Sequence, residues 1–83
     1  MAIWRLPMTL AESGKKRSSL YEAIKSGTWT RPVKLGPRAV GWPDTEVRAI
    51  NAARIAGDSE LEIRALVVRL EADRKKAPGA GNG

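Results

Sequence analysis

Basic side chains are concentrated in two short stretches in the first half of this sequence. The stretch KKRSS at 15–19 opens a predicted helix with three successive cations, and VKLGPR at 33–38 places Lys34 and Arg38 in a predicted hairpin. Arg can bind guanine through two hydrogen bonds, whereas Lys acts mainly as a point charge on phosphate. Cations at a helix N-terminus oppose the helix dipole and give no folding benefit, so this arrangement favours contact with a polyanion over a merely solvated surface.

The net charge of the chain is confined to the same half. Residues 1–42 contain eight Lys and Arg against two Glu, a net charge of +6, whereas residues 43–83 contain seven cations and seven acids. Such asymmetry indicates nucleic acid as the first candidate partner and an anionic membrane surface as the second, with a solubility surface as the alternative. No apolar run reaches the ~20 residues of a membrane span, so we expect a cytoplasmic, nucleoid-associated protein without a membrane partner.

Enzymatic function is the class that the sequence supports least. The 83 residues include no histidine and no cysteine, which removes the commonest general base, the commonest metal ligand and thiolate chemistry. The glycine-containing stretch GPRAVG at 36–41 lacks the Lys and Ser/Thr of a phosphate-binding loop. We therefore expect neither catalysis nor a cofactor or metal.

Two short helices precede the hairpin. The stretch LPMTLAESG has Pro7 in its first turn and Gly14 as a left-handed cap, and KKRSSLYEAIKSG is stopped by Gly27. Ser19 with Glu22 forms a candidate capping box, with Ser18 as the alternative cap. Two helices joined by a tight turn near a glycine are typical of a helix-turn-helix.

The hydrophobic period then changes from helical to alternating. Lys34 separates two apolar residues, Gly36-Pro37 supplies a turn, and a second alternating run follows. A two-stranded hairpin is marginal alone, so one of its faces must pack on the helices. We expect that face to consist of Val33, Leu35, Val40 and Trp42.

Two further helices follow the hairpin. The first, PDTEVRAINAARIAG, has Asp44 as a candidate N-cap, and the second begins with a Ser59–Glu62 capping box. The second has an amphipathic stripe that either packs back on the domain or binds a partner. The predicted boundaries are 1–57 for a winged helix-turn-helix, 58–76 for the C-terminal helix and 77–83 for a disordered tail.

The predicted fold is therefore mainly α with a short two-stranded β-hairpin wing, a winged helix-turn-helix plus a C-terminal helix. The second helix is expected to enter the major groove of double-stranded DNA, with Arg17 as the leading base reader and Arg38 at the minor groove or backbone. The candidate DNA-binding residues are Lys15, Lys16, Arg17, Ser18, Ser19, Tyr21, Lys25, Lys34 and Arg38.

The chain resembles the AlpA-like family of small phage and prophage regulators, which are similar to phage excisionases and to MerR-type DNA-binding heads. The resemblance rests on RLP at 5–7, RSSLYEAIKSG at 17–27, RPVKLGPRAVGW at 31–42 and AARIA in the third helix, about 60% of the chain. It implies a transcriptional regulator or an excision-directing DNA-bending protein. It also implies recognition-helix contacts from Arg17, Ser18, Ser19 and Tyr21 and wing contacts from Lys34 and Arg38.

The sequence departs from the family pattern at several positions. Lys15 and Lys16 replace an apolar residue and a Ser after the turn glycine, which predicts loss of the usual cap and a later helix start. Thr9, Thr30 and Asn51 replace residues that are usually aliphatic, Pro and apolar.

Several functional alternatives stay open at this stage. The protein is a regulator, an excisionase-like recombination directionality factor or an adaptor acting through its C-terminal helix. A homodimer or a tandem array on DNA, and a recombinase or transcription-machinery partner, are compatible with each of these. RNA binding is less favoured, since the aromatic residues are expected in the core instead of on a stacking platform.

Overall fold

Four helices and a small antiparallel sheet form the structure, a computed structural model that describes residues 1–75. The elements are β1 (Ile3–Arg5), α1 (Leu6–Ser13), α2 (Arg17–Ser26), β2 (Val33–Gly36), β3 (Ala39–Pro43), α3 (Asp44–Ile55) and α4 (Glu60–Asp73). The predicted class, mainly α with a hairpin wing, is confirmed. The tail predicted at 77–83 lies outside the described residues, as does Lys76 at the end of the predicted last helix.

The sheet has one strand that the sequence patterns did not predict. Its order is β1-β3-β2, and β1 pairs antiparallel to β3 with Trp4 opposite Trp42. A three-residue strand is too short to show alternation, and its hydrogen-bonding partner lies far away in the sequence. The predicted hairpin of β2 and β3 is therefore one half of a three-stranded sheet.

The inward face of the hairpin was only half predicted. Val40 packs against the core and Trp42 is fully buried within it, but Val33 pairs with Gly41 on the opposite face of the sheet. Leu35 is 44% exposed, and its side chain lies over Gly41 on the same outward face. Alternation within each strand correctly grouped Val33 with Leu35 and Val40 with Trp42, but the register between the strands places these two pairs on opposite faces.

The turn of the hairpin also differs from the prediction. Gly36 ends β2 opposite Ala39, and Pro37 and Arg38 form the two-residue turn between them. Arg38 therefore occupies the tip itself.

The core lies between the inward face of the sheet and the helices. Trp29 and Trp42 are buried beside Leu20 of α2 and Ile50 of α3, and the indole Nε1 of Trp42 donates a hydrogen bond to the Thr30 carbonyl at 2.9 Å. Two large aromatic side chains supply much of the apolar area that a chain of this size can bury.

Side-chain caps were predicted correctly for one helix. The reciprocal Ser59–Glu62 capping box of α4 is present, with both hydrogen bonds formed. At α3 the N-cap is Pro43 instead of Asp44, and the Asp44 carboxylate accepts a hydrogen bond from the backbone N–H of Ala2. Asp44 thus joins the start of α3 to the residue before β1.

Helix α4 packs on its own domain. Val67 is buried in the core, and half-buried apolar side chains pack beside it, namely Ile63, Leu66 and Leu70. The Nε of Arg64 donates to the Ser26 carbonyl at 3.0 Å, which joins α4 to the end of α2. None of the helices within residues 1–75 is long and apolar enough to cross a membrane.

Candidate nucleic-acid interface

The turn between α1 and α2 is closed by a glycine and left without a side-chain cap. Gly14 has a φ of 71° and its N–H bonds to the Leu10 carbonyl, as predicted. Lys16 is the N-cap of α2, and its side chain makes no capping hydrogen bond. Loss of the usual cap is therefore confirmed, but the predicted Ser19–Glu22 capping box and the later start are wrong. Helix α2 begins at Arg17, directly after the position that a capping Ser would occupy.

Helix α2 presents most of the candidate residues to solvent. Leu20 is fully buried and Ala23 nearly so, which fixes the inward face of the helix. Tyr21 is 39% exposed, so its ring is not committed to the core. The remaining candidates on this helix are all exposed: Arg17, Ser18, Ser19 and Lys25, with Lys16 just before it.

Helical periodicity divides these exposed residues into two sides. Successive residues turn by ~100° around the axis, so Arg17, Tyr21 and Lys25, spaced by four, follow one side. Ser18 lies between that side and the face opposite the core. Ser19 lies ~200° around the axis from Arg17, the farthest of the exposed candidates from that side, and Glu22 lies between Ser18 and Ser19.

Lys15 differs from the other candidates because it is half-buried. Burial lowers the pKa of its ammonium group, and the nearby positive charge of Arg54 lowers it further. Positive side chains held close together are unfavourable in the isolated protein and are relieved by an anion. Lys15 therefore lies at the turn, partly withdrawn from solvent and close to a second positive charge.

Helix α3 holds this turn in place through contacts that sequence reasoning missed. The Nη1 of Arg54 donates to the Ser13 carbonyl, and the Nδ2 of Asn51 donates to the Glu12 carbonyl, both at 2.9 Å. These carbonyls end α1 and lack helical partners of their own, so the two side chains cap the helix. The partners are about 40 residues apart, and no local signal marks them.

The wing presents its two candidate cations at its edge and tip. Lys34 lies opposite Val40, so it projects on the side of the sheet that faces the helices, at the exposed edge strand. The sequence pattern placed Lys34 on the side away from the helices, and that expectation is wrong because the register places Val33 and Leu35 there instead. Arg38 is exposed in the turn.

Cations in the structure fall into two groups by their partners. Within residues 1–75, the side chains of five arginines bind acids or carbonyl oxygens, and the structure gives no such partner for the exposed candidate cations. The arginines with partners are Arg31, Arg48, Arg54, Arg64 and Arg74. The exposed candidates without such a partner are Lys16, Arg17, Lys25, Lys34 and Arg38. Three further exposed cations without such a partner lie outside the predicted site, namely Arg5, Arg69 and Lys75.

The site has no metal-binding geometry in the part of the chain that the structure covers. No group of three His, Cys, Asp or Glu side chains within residues 1–75 is arranged to hold an ion. Its chemistry is that of exposed cations, hydroxyls and one phenol on a small rigid scaffold.

Residues 3–54 match the family model described as "Prophage CP4-57 regulatory protein (AlpA)". The chain belongs to this family. The match confirms the AlpA resemblance and identifies a regulatory protein of phage type, from a regulatory family and not an enzyme family. It runs from β1 almost to the end of α3, and so includes the turn, α2 and the wing but not α4.

A phage protein is among the relatives of this AlpA family member. "Uncharacterized protein ORF88" of Enterobacteria phage P4 is 42% identical over 53 residues, which cover 64% of this chain and 60% of the relative. The match therefore spans somewhat more than half the length of that phage protein. No solved structure matches the chain significantly.

Proposed function

We propose that this AlpA family protein binds double-stranded DNA in a sequence-specific manner to regulate transcription. Helix α2 enters the major groove, and the wing contacts the adjacent minor groove or backbone. The observation that supports this most is the division of the cations. Within residues 1–75, five of the eight exposed cations without partners lie on α2, directly before it or on the wing, the two elements with which winged proteins bind DNA.

Within α2, the side defined by Arg17, Tyr21 and Lys25 faces the groove. Arg17 in the first turn reads a base edge, Ser18 assists it, and Tyr21 and Lys25 contact the phosphate backbone further along the helix. Ser19 contributes least of the predicted residues, because it lies farthest around the helix from the side of Arg17, Tyr21 and Lys25.

Lys15, Lys16, Lys34 and Arg38 supply contacts that position the protein without reading sequence. Lys15 and Lys16 bind phosphates at the turn, and Lys34 lies on the helix side of the wing. Arg38 at the tip enters the minor groove or binds its phosphates. One protomer of this size buries a modest interface, so a homodimer or tandem array on DNA strengthens binding.

Single substitutions test the proposed division of roles. Arg17→Ala should cost ~1–3 kcal/mol for the preferred duplex and relax the preference at one base pair. Arg38→Ala should weaken all duplexes alike and reduce the slope of log affinity against log salt by about one. Arg69→Ala is the matched control, since it removes the same charge from an exposed position on α4.

The measurement is titration of duplexes selected from a randomised library, each at several salt concentrations. The roles are refuted if Arg17→Ala and Arg38→Ala each bind every duplex as the Arg69→Ala control does. Binding by the parent that does not respond to salt would refute the phosphate contacts altogether.

The excisionase-like alternative uses the same surfaces, and footprinting on the DNA around the gene separates the two. Protection over a promoter supports regulation, and protection over an attachment site supports excision.

An adaptor acting through α4 would require its outer face, where Leu61 and Val68 are exposed. Loss of function on substituting these two residues, with duplex binding intact, would support the adaptor.

A further inference from the structure

The last turns of α4, outside the residues that match the family model, bind the segment that leads into the wing. The N–H of Arg31 donates to the Glu71 Oε2 at 2.7 Å, and the carbonyl of Arg31 accepts from the Arg74 Nη2 at 2.6 Å. Both backbone polar groups of one residue, two positions before β2, are thus bound by side chains of α4. The Arg31 side chain also lies 3.8 Å from the Glu71 carboxylate.

Arg74 is itself firmly anchored. Its Nε and Nη2 donate to the two carboxylate oxygens of Glu46 on α3, each at 2.7 Å, and Glu46 is only 4% exposed. These hydrogen bonds raise the pKa of Arg74. One guanidinium therefore connects α3, the end of α4 and the start of the wing. Because the group is planar and donates two parallel hydrogen bonds to one carboxylate, its orientation is fixed.

The wing needs such an anchor. Strand β2 lies at the edge of the sheet, pairs with β3 alone and contains a register irregularity after Lys34. A hairpin of this length has little intrinsic rigidity. Its direction is therefore sensitive to the backbone of Arg31 and to Pro32, the residues that enter β2.

We propose that Glu71 and Arg74 are positioning residues for the wing. By fixing the backbone at Arg31, they set the direction of β2 and hence the position of Lys34 and Arg38 against a duplex. The effect on the position of Lys34 and Arg38 against a duplex rests on the proposed DNA-binding function. The fixing of the wing is a property of the unbound protein and is tested separately.

The test variant is Arg74→Lys, which keeps the charge opposite Glu46 but lacks the planar fork that also reaches the Arg31 carbonyl. Its matched control is Arg69→Lys, the same chemical change at an exposed position of the same helix. In the unbound protein, amide hydrogen exchange of Arg31 and of β2 should be about tenfold faster in Arg74→Lys, with α2 amides unchanged. Unchanged exchange at Arg31 and β2 overturns the proposal. Glu71→Ala, which removes the acceptor of the Arg31 N–H, with Glu60→Ala as its control, replaces this pair if Arg74→Lys does not fold.

The second measurement is a double-mutant cycle on duplex binding. Arg38→Ala should weaken binding about fivefold in the parent and less than twofold in the Arg74→Lys background, whereas the loss from Arg17→Ala stays the same in both. If Arg74→Lys only disturbed the structure in general, it would change the losses from both Arg38→Ala and Arg17→Ala. If Arg38→Ala weakens binding equally in the parent and in Arg74→Lys, the positioning role is overturned. If the parent binds no duplex, the proposed function fails, and the exchange measurement still decides whether α4 fixes the wing.

Discussion

The pair of Glu46 and Arg74 allows a sharp prediction about stability. Only 5% of the Glu46 side chain is exposed, against 25% of that of Arg74. Replacing Arg74 by Met leaves a carboxylate buried without its cation. Stranding one partner of a buried ion pair typically costs ~3–5 kcal/mol. We expect about 3 kcal/mol for Arg74→Met, since partial exposure of Arg74 indicates that water can reach the carboxylate once the guanidinium is removed.

That loss is large for a domain of this size. Unfolding free energies are ~5–15 kcal/mol, and 1 kcal/mol shifts the melting temperature of a domain of 60–100 residues by ~4–8 °C. Arg74→Met should therefore melt at least about 12 °C below the parent. Thermal and urea unfolding followed by circular dichroism measure the change.

Two further variants make the reasoning refutable. Arg64→Met is the control, because Arg64 pairs with an exposed acid, Glu60, on the same helix and should lose only about 1 kcal/mol. Glu46→Leu combined with Arg74→Met should recover most of the loss, since it removes the stranded charge. A loss below 1 kcal/mol for Arg74→Met, or no recovery in the double variant, would show that the carboxylate is not isolated from water.

Three other predictions concern the sheet, a cap and the turn. Gly41→Ala should destabilise the protein by ~1–3 kcal/mol in urea unfolding, because an added Cβ would lie 2.6 Å from the Ile3 side chain and 3.0 Å from the Trp4 carbonyl; an unchanged midpoint would contradict this β1–β3 packing. The pKa of Glu62 is lowered by its hydrogen bonds with Ser59, so its contribution to stability is present above its unfolded pKa and lost as pH falls through the folded one. The stability difference between the parent and Glu62→Gln should therefore shrink on acidification, and a difference independent of pH would refute the cap. Lys15→Met should raise the unfolding free energy slightly, because burial and the nearby Arg54 disfavour the charge of Lys15, while weakening duplex binding and reducing its salt slope; a gain in stability with unchanged binding would remove Lys15 from the interface.

Residues that act through local chemistry were predictable from the sequence. Gly14 and Gly27 end their helices with positive φ, and Ser59 and Glu62 cap α4, because these motifs depend on residues within one or two turns. The sequence was misleading where two residues have the spacing of a capping motif that the structure does not form. Ser19 and Glu22 have the spacing of a capping box, but the N-cap is Lys16, three residues before Ser19, and both residues lie inside the helix.

The sequence by itself determined the order of the four helices and the hairpin, though not β1, and it determined the concentration of positive charge in α2 and the wing. The membership in a regulatory family follows from the same residues. Tertiary structure alone decided which residues of β2 and β3 face the core, because alternation within a strand does not show its register with the neighbouring strand or which of its two sides packs on the helices. It also decided which cations are engaged. Arg31, Arg54 and Arg74 look like surface charges in the sequence, and only the meeting of chain segments about 30–40 residues apart gives them partners. The sequence contains no local signal for such contacts because their energy arises from burial and geometry, which exist only once the chain has folded.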